Sequence, residues 1–209
     1  MILIGQYDSP FVRRVGIALT LYGLAFEHRP WSTFGDADKL RPHNPLTRVP
    51  TLVLDDGDVL IESHAILDYL DSLVPAERAM FPRAEPERHR ALKVAALGTG
   101  LAEKAVALFY EKNFHNEVSD LFASRCRTQL ASTLAVLEAD RVTRKSDYWF
   151  GPRIGHADVA VAVAIRFITE AHPGLVTMAE FPALRAHSEK LEALPAFKAI
   201  AQKFIPPSR

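Results

Sequence analysis

Over the first 75 positions, apolar residues come in short runs broken by polar turns; after that they recur every three or four positions. Residues 1–7 open on an apolar run suited to a strand. Residues 10–23 set Val12, Val15, Leu19 and Tyr22 along one side of a helix, with Ile17 off that stripe and Gly23 as the stop signal. A second strand is predicted over 25–32 and a short helix over 36–41. Two further strands, 51–54 and 59–61, flank Asp55-Asp56-Gly57-Asp58, a hairpin signal. Residues 63–73 then form an amphipathic helix through Ile66, Leu67, Leu70 and Leu73. This β-α-β-α-β-β-α order predicts a parallel pair followed by a hairpin, in a small mixed sheet with helices on both faces.

Residues 75–86 hold three prolines and mixed charges, and everything after them is helical in pattern. One long helix is expected over 87–114, with Gly98 and Gly100 in its middle. Phe122, Cys126, Leu130, Leu134 and Leu137 mark the buried stripe of the next, and 157–171, 181–194 and 195–204 complete the set. The expected class is therefore α/β plus all-α: an α/β domain over 1–75, a linker over 76–86 and a helical domain over 87–209.

Composition narrows the functions available. Lys plus Arg and Asp plus Glu are each 25, so the balanced charge gives no support to a phosphate-tracking surface, and no nucleic-acid partner is expected. The lone Cys126 excludes an internal disulfide and a cysteine-rich metal site, no histidine spacing suggests zinc, and no metal is expected. The most apolar stretch, 157–168, is interrupted by Asp158 and Arg166 and is too short for a membrane span. No secretion signal is evident at the N-terminus, so a cytoplasmic location is expected.

Four features of the first domain bear on chemistry. Ser9-Pro10 pairs an N-cap serine with an N1 proline. Asn44-Pro45-Leu46-Thr47 is a polar turn, Arg48-Val49-Pro50-Thr51 puts a proline at the head of a strand, and Glu62-Ser63 closes a strand and caps a helix. Each has an ordinary structural explanation on its own; their order and spacing are more informative than their identities.

With these motifs the chain resembles the cytosolic glutathione transferases, essentially end to end. The resemblance rests on Ser9-Pro10-Phe11-Val12-Arg13-Arg14-Val15, on Asn44 to Pro50, and on Val59 to Leu70; the first motif looks like that of bacterial relatives. It implies a thioredoxin-like N-terminal domain followed by a helical-bundle C-terminal domain, with glutathione as co-substrate and a homodimer built around residues 63–73 and 87–114. It also implies roles for single residues. A cis Val49-Pro50 bond would present the Val49 backbone to the ligand's cysteinyl unit like an added strand. Ser63, at a helix N-terminus, would meet the carboxylate of the ligand's amino-acid head, and Glu62 its ammonium. Arg48 is a candidate for the glycine carboxylate, or is simply solvated.

Ser9 would then lie at the thiol. A free thiol has a pKa of about 8.5, so only a few per cent is thiolate at neutral pH. Lowering that by about two units requires roughly 2.7 kcal/mol in favour of the anion. A helix dipole supplies about 0.3–1 kcal/mol and a hydrogen bond to a charged group about 1.5–3 kcal/mol; together they suffice. Serine cannot form a mixed disulfide as cysteine would, which favours conjugation over thiol exchange. Tyr7, on the same strand end, is the alternative donor.

Two departures from the family pattern stand out: Thr47 where glycine is common, and Gly155 where serine or threonine usually caps a helix ahead of Asp158. Phe11, Phe34, Tyr110 and Phe114 are candidates to line an acceptor pocket, and Gly98 and Gly100 either leave space there or permit close helix packing. The expected activity is addition of glutathione thiolate to a small, apolar electrophile. Alternatives are a non-catalytic binding protein of the same fold and a glutathione-dependent isomerase or dehalogenase.

Overall fold

A computed structural model of the chain describes residues 1–206. Its first unit contains β1 (Ile2–Ile4), α1 (Pro10–Tyr22), β2 (Glu27–Arg29), α2 (Ala37–Leu40), β3 (Thr51–Val53), β4 (Val59–Ile61) and α3 (Ser63–Ser72). The strands form one sheet in the order β2-β1-β3-β4, with β1 and β2 parallel and the remaining pairs antiparallel. The parallel pair and hairpin read from the sequence are both present, in a fold of the thioredoxin-like kind.

The strands are shorter than their apolar runs for local reasons. Gly5 follows β1 at φ 130°, a backbone conformation only glycine adopts freely, and Pro30 follows β2 with no N–H to continue a ladder. Helix α1 starts and stops as its sequence specifies: Ser9 caps it in extended conformation, Pro10 occupies N1, and Gly23 closes it at φ 71°. Ile17, off the expected stripe, is as fully buried as Val15, because α1 is covered on more than one side. Helix α3 packs against it, and so does the chain end.

That chain end is a departure from the sequence reading. Residues 194–206 cluster with the first unit and not with the helical one. Only α8 (Pro195–Ala199) of the expected 195–204 helix forms. The buried Arg13 holds this segment, donating from Nε to Ile200 O at 2.8 Å and from Nη2 to Phe197 O at 3.1 Å. Beyond it, Tyr7 N donates to the Gln202 side chain at 3.2 Å and Ile205 N to Asp8 at 3.1 Å.

The second unit, residues 81–193, is helical: α4 (Glu87–Phe114), α5 (Asp120–Val142), α6 (His156–Ala171) and α7 (Pro182–Glu192), with a single 3-10 turn at Met178–Glu180. Gly98 lies where α4 meets α6; a Cβ there would come within 2.9 Å of backbone atoms of Ala160 and Val161. It is a packing glycine, whereas a Cβ on Gly100 would meet nothing within 4 Å. Cys126, Leu130, Leu134 and Leu137 are buried as the stripe requires, but Phe122, at the first turn of α5, is 40% exposed. At the start of α6, Asp158 accepts from the Gly155 amide at 2.8 Å; glycine lacks the side chain for the other half of a capping box. No helix among the described residues is long and apolar enough to cross a membrane.

Candidate active site

Three backbone segments of the first unit converge around Gly5. A Cβ on this residue would lie 2.5 Å from Val12 Cγ2 and 2.8 Å from Val49 Cβ, so its lack of a side chain brings the first turn of α1 against the segment before β3. Thr51 pairs with Ile61 across the β3–β4 ladder, which places Val49-Pro50 beside Glu62-Ser63. The third link runs from α1 to α3, where Arg14 Nη1 lies 3.4 Å from Ser63 Oγ.

At the head of α1, Ser9 Oγ accepts from Val12 N at 3.5 Å. Capping uses an oxygen lone pair and leaves the hydroxyl proton available, so cap and donor are compatible roles for one side chain. Tyr7 is placed differently. Its ring stacks on His28 with centroids 3.8 Å apart and planes 5° from parallel, and its Cε1 would sit 3.1 Å from a Cβ on Gly16. The tyrosine therefore lies along α1 near Gly16, about 10 Å down the helix axis from its cap. Burial pushes its phenol up to about 12, making it a weak acid.

The Val49-Pro50 bond is cis. Among the described residues, neither the N–H nor the C=O of Val49 has a hydrogen-bond partner. The segment is held from behind by Asn44, which is buried: its amide donates to Arg48 O at 2.9 Å and Thr51 Oγ1 at 3.1 Å, and its Oδ1 accepts from Leu46 N at 3.0 Å. Thr47 adopts φ 52°, the left-handed conformation that explains why glycine is common at this point of the fold.

Glu62 also has a positive φ, 66°, which turns the chain from β4 into α3. Its carboxylate meets Arg48 at 2.8 Å, with both side chains more than half exposed. Ser63 opens α3 with only 3% of its surface exposed, so a ligand can reach it at an atom or two, and its backbone N–H has no protein partner among the described residues. Sequence reasoning gave no role to Arg14 or Asn44. The polar Asn44 beside a proline carried a turn signal, whereas nothing in the sequence set Arg14 apart from Arg13.

Among the sequence-predicted residues, Arg48 pairs with Glu62, the β3–β4 register sets Val49-Pro50 beside Glu62-Ser63, and Ser9 caps α1, whose Val12 lies against Gly5 as Val49 does. The four aromatic candidates fall in different units. Phe11, part-buried, and Phe34, 46% exposed, belong to the first. Tyr110, 40% exposed, and Phe114 pack edge to face at 5.4 Å in the second. No group of three or more potential metal ligands occurs among the described residues.

Comparison with known proteins places the chain in a family. Residues 3–78 match the glutathione S-transferase N-terminal domain and residues 118–190 the C-terminal domain. An uncharacterized GST-like protein of Escherichia coli K12, YibF, is 30% identical over 80% of this chain and 82% of its own. A maleylacetoacetate isomerase of Pseudomonas aeruginosa is 37% identical over 46% of this chain and 48% of its own. Among solved structures, a glutathione S-transferase of Methylobacterium radiotolerans in complex with glutathione sulfonate superposes with a TM-score of 0.88 at 28% identity, covering 100% of this chain and 99% of that one. The chain belongs to the glutathione S-transferase family.

Proposed function

We propose that the protein is a glutathione transferase that binds glutathione in its first unit and adds the thiolate to a small, apolar electrophile. The observation that carries this reading is the unpaired backbone of Val49, beside a serine at the head of one helix and a second serine at the head of another. An extended peptide laid along Val49 gains the two hydrogen bonds of an added strand. In this reading the ligand's cysteinyl unit pairs there, its sulfur meets the Ser9 hydroxyl, and its amino-acid head meets Ser63 and Glu62. Arg48, released from an exposed ion pair that stabilises little, turns to the glycine carboxylate. Phe11 and Phe34, which belong to the same unit, are the proposed apolar contacts for the electrophile.

A homodimer is part of this reading. Light scattering on the purified protein gives its mass in solution directly.

Calorimetric titration with reduced glutathione, followed by a panel of electrophiles, tests the assignment. Binding with conjugation is expected. No binding at millimolar glutathione contradicts it; binding without thiolate formation identifies a non-catalytic relative. Turnover with no conjugate formed points to isomerisation, the reading favoured by the match to the isomerase.

A further inference from the structure

Arg14 is a buried charge without a counter-charge. Its side chain is fully enclosed, and burial pushes its pKa down to about 9, which still leaves it ionised at neutral pH. Its Nε and Nη2 have no hydrogen-bond partner among the described residues, and no carboxylate pairs with it. Glu62, next to Ser63 in the chain, pairs with Arg48. The other buried arginine of α1 is satisfied by the carbonyls of Phe197 and Ile200. An isolated buried ion is among the most costly things a fold can contain, and this one touches Ser63.

We infer that Arg14 is a positioning residue for the ligand's amino-acid carboxylate, acting through the Ser63 hydroxyl, and that the bound carboxylate is the counter-charge Arg14 lacks in the free protein. The inference rests on the glutathione reading above. Arg14 is too enclosed to touch a ligand, but its guanidinium can donate to one lone pair of Ser63 Oγ. That donation turns the serine proton outward and polarises it, making a neutral hydroxyl a stronger donor to an anion. The free-state distance of 3.4 Å is long for such a bond, and the arrival of a carboxylate favours its shortening. The free protein thus carries an electrostatic penalty that the ligand relieves.

A double-mutant cycle on the full-length protein tests this, with glutathione affinity read by calorimetry. Arg14→Met keeps the volume and removes the charge; Ser63→Ala removes the relay. Arg14→Met is expected to weaken glutathione at least tenfold in the wild-type background and less than twofold in the Ser63→Ala background, while the free protein melts no lower than wild type. Equal losses in both backgrounds, or no loss in either, overturn the inference, because a purely structural arginine has no reason to couple to that hydroxyl. If Arg14→Met does not fold, Arg14→Gln carries the same comparison. Wild type is titrated first: failure to bind glutathione removes the glutathione reading and this inference with it, whereas wild-type binding without coupling removes the inference alone.

Discussion

Tyr7 lies flat against His28, with ring centroids 3.8 Å apart, while Ser9, two residues on, caps the helix. His28 is fixed in turn by a 2.8 Å bond from Nε2 to Gly5 O, so the stack is tied to the strand end. The stack holds the phenol ring along α1 near Gly16, away from the helix cap where the thiol is proposed to lie. Tyr7→Phe is therefore expected to leave conjugation within about twofold of wild type, since 1.4 kcal/mol would be needed for a tenfold change and no donor bond is lost. Steady-state kinetics at saturating glutathione checks this.

Glu62 combines a proposed ligand role with a strained backbone. At φ 66° a non-glycine residue costs on the order of 1–3 kcal/mol, and the exposed pair with Arg48 returns about 0–1 kcal/mol. Glu62→Gly is expected to stabilise the free protein by about 1 kcal/mol in urea unfolding, while Glu62→Ala, which keeps the strain, does not. Both should weaken glutathione at least tenfold. A stabilised Glu62→Gly variant with wild-type affinity would remove Glu62 from the site.

The two glycines of α4 make opposite predictions. Gly98→Ala drives a methyl to 2.9 Å from the backbone of α6, which cannot rotate away; a loss of about 1–3 kcal/mol is expected. Gly100→Ala meets open space, and should gain roughly 0.5–1 kcal/mol of helix stability. Thermal melts of the pair decide whether α4 and α6 pack as closely as described.

The helical unit has its own pH dependence. His172 is buried, with Nε2 2.8 Å from Ala105 O, and burial holds its pKa below the usual histidine value. The unfolded chain then binds the proton more tightly than the folded one. His172 stabilises the fold fully above the unfolded pKa, about 6.5, and that contribution is lost as pH falls from there through the folded value. Stability measured in urea between pH 8 and 5 should decline more steeply for wild type than for His172→Gln.

Much of the fold was legible because its signals are local. Ser9-Pro10 and Gly23 bracket α1, the Asp-Asp-Gly-Asp turn joins β3 to β4, and the apolar stripes of α3 to α6 follow helical periods. What escaped was set by tertiary placement. Residues 200–204 have helical composition, yet the chain leaves the helix after Ala199 and returns to Tyr7 and Asp8. Arg13 and Arg14 are adjacent and chemically identical; only the structure shows one bound by carbonyls and the other beside Ser63. Asn44 read as a turn residue, and its support of the Arg48–Thr51 segment depends on burial that no sequence pattern announces.

Ser9 is proposed to donate to the glutathione thiolate as well as to cap α1, and the ultraviolet absorbance of the thiolate in the bound complex reports that bond. Ser9→Gly retains capping to within a few tenths of a kcal/mol, whereas Ser9→Ala loses about 0.5–2 kcal/mol. The two variants separate the structural role from the chemical one. At pH 7 and saturating glutathione the thiolate signal is expected in wild type and in Tyr7→Phe, and is expected to be lost in Ser9→Gly as fully as in Ser9→Ala. A full thiolate signal in Ser9→Gly, with its loss in Tyr7→Phe, would rule out Ser9 and move the donor to Tyr7.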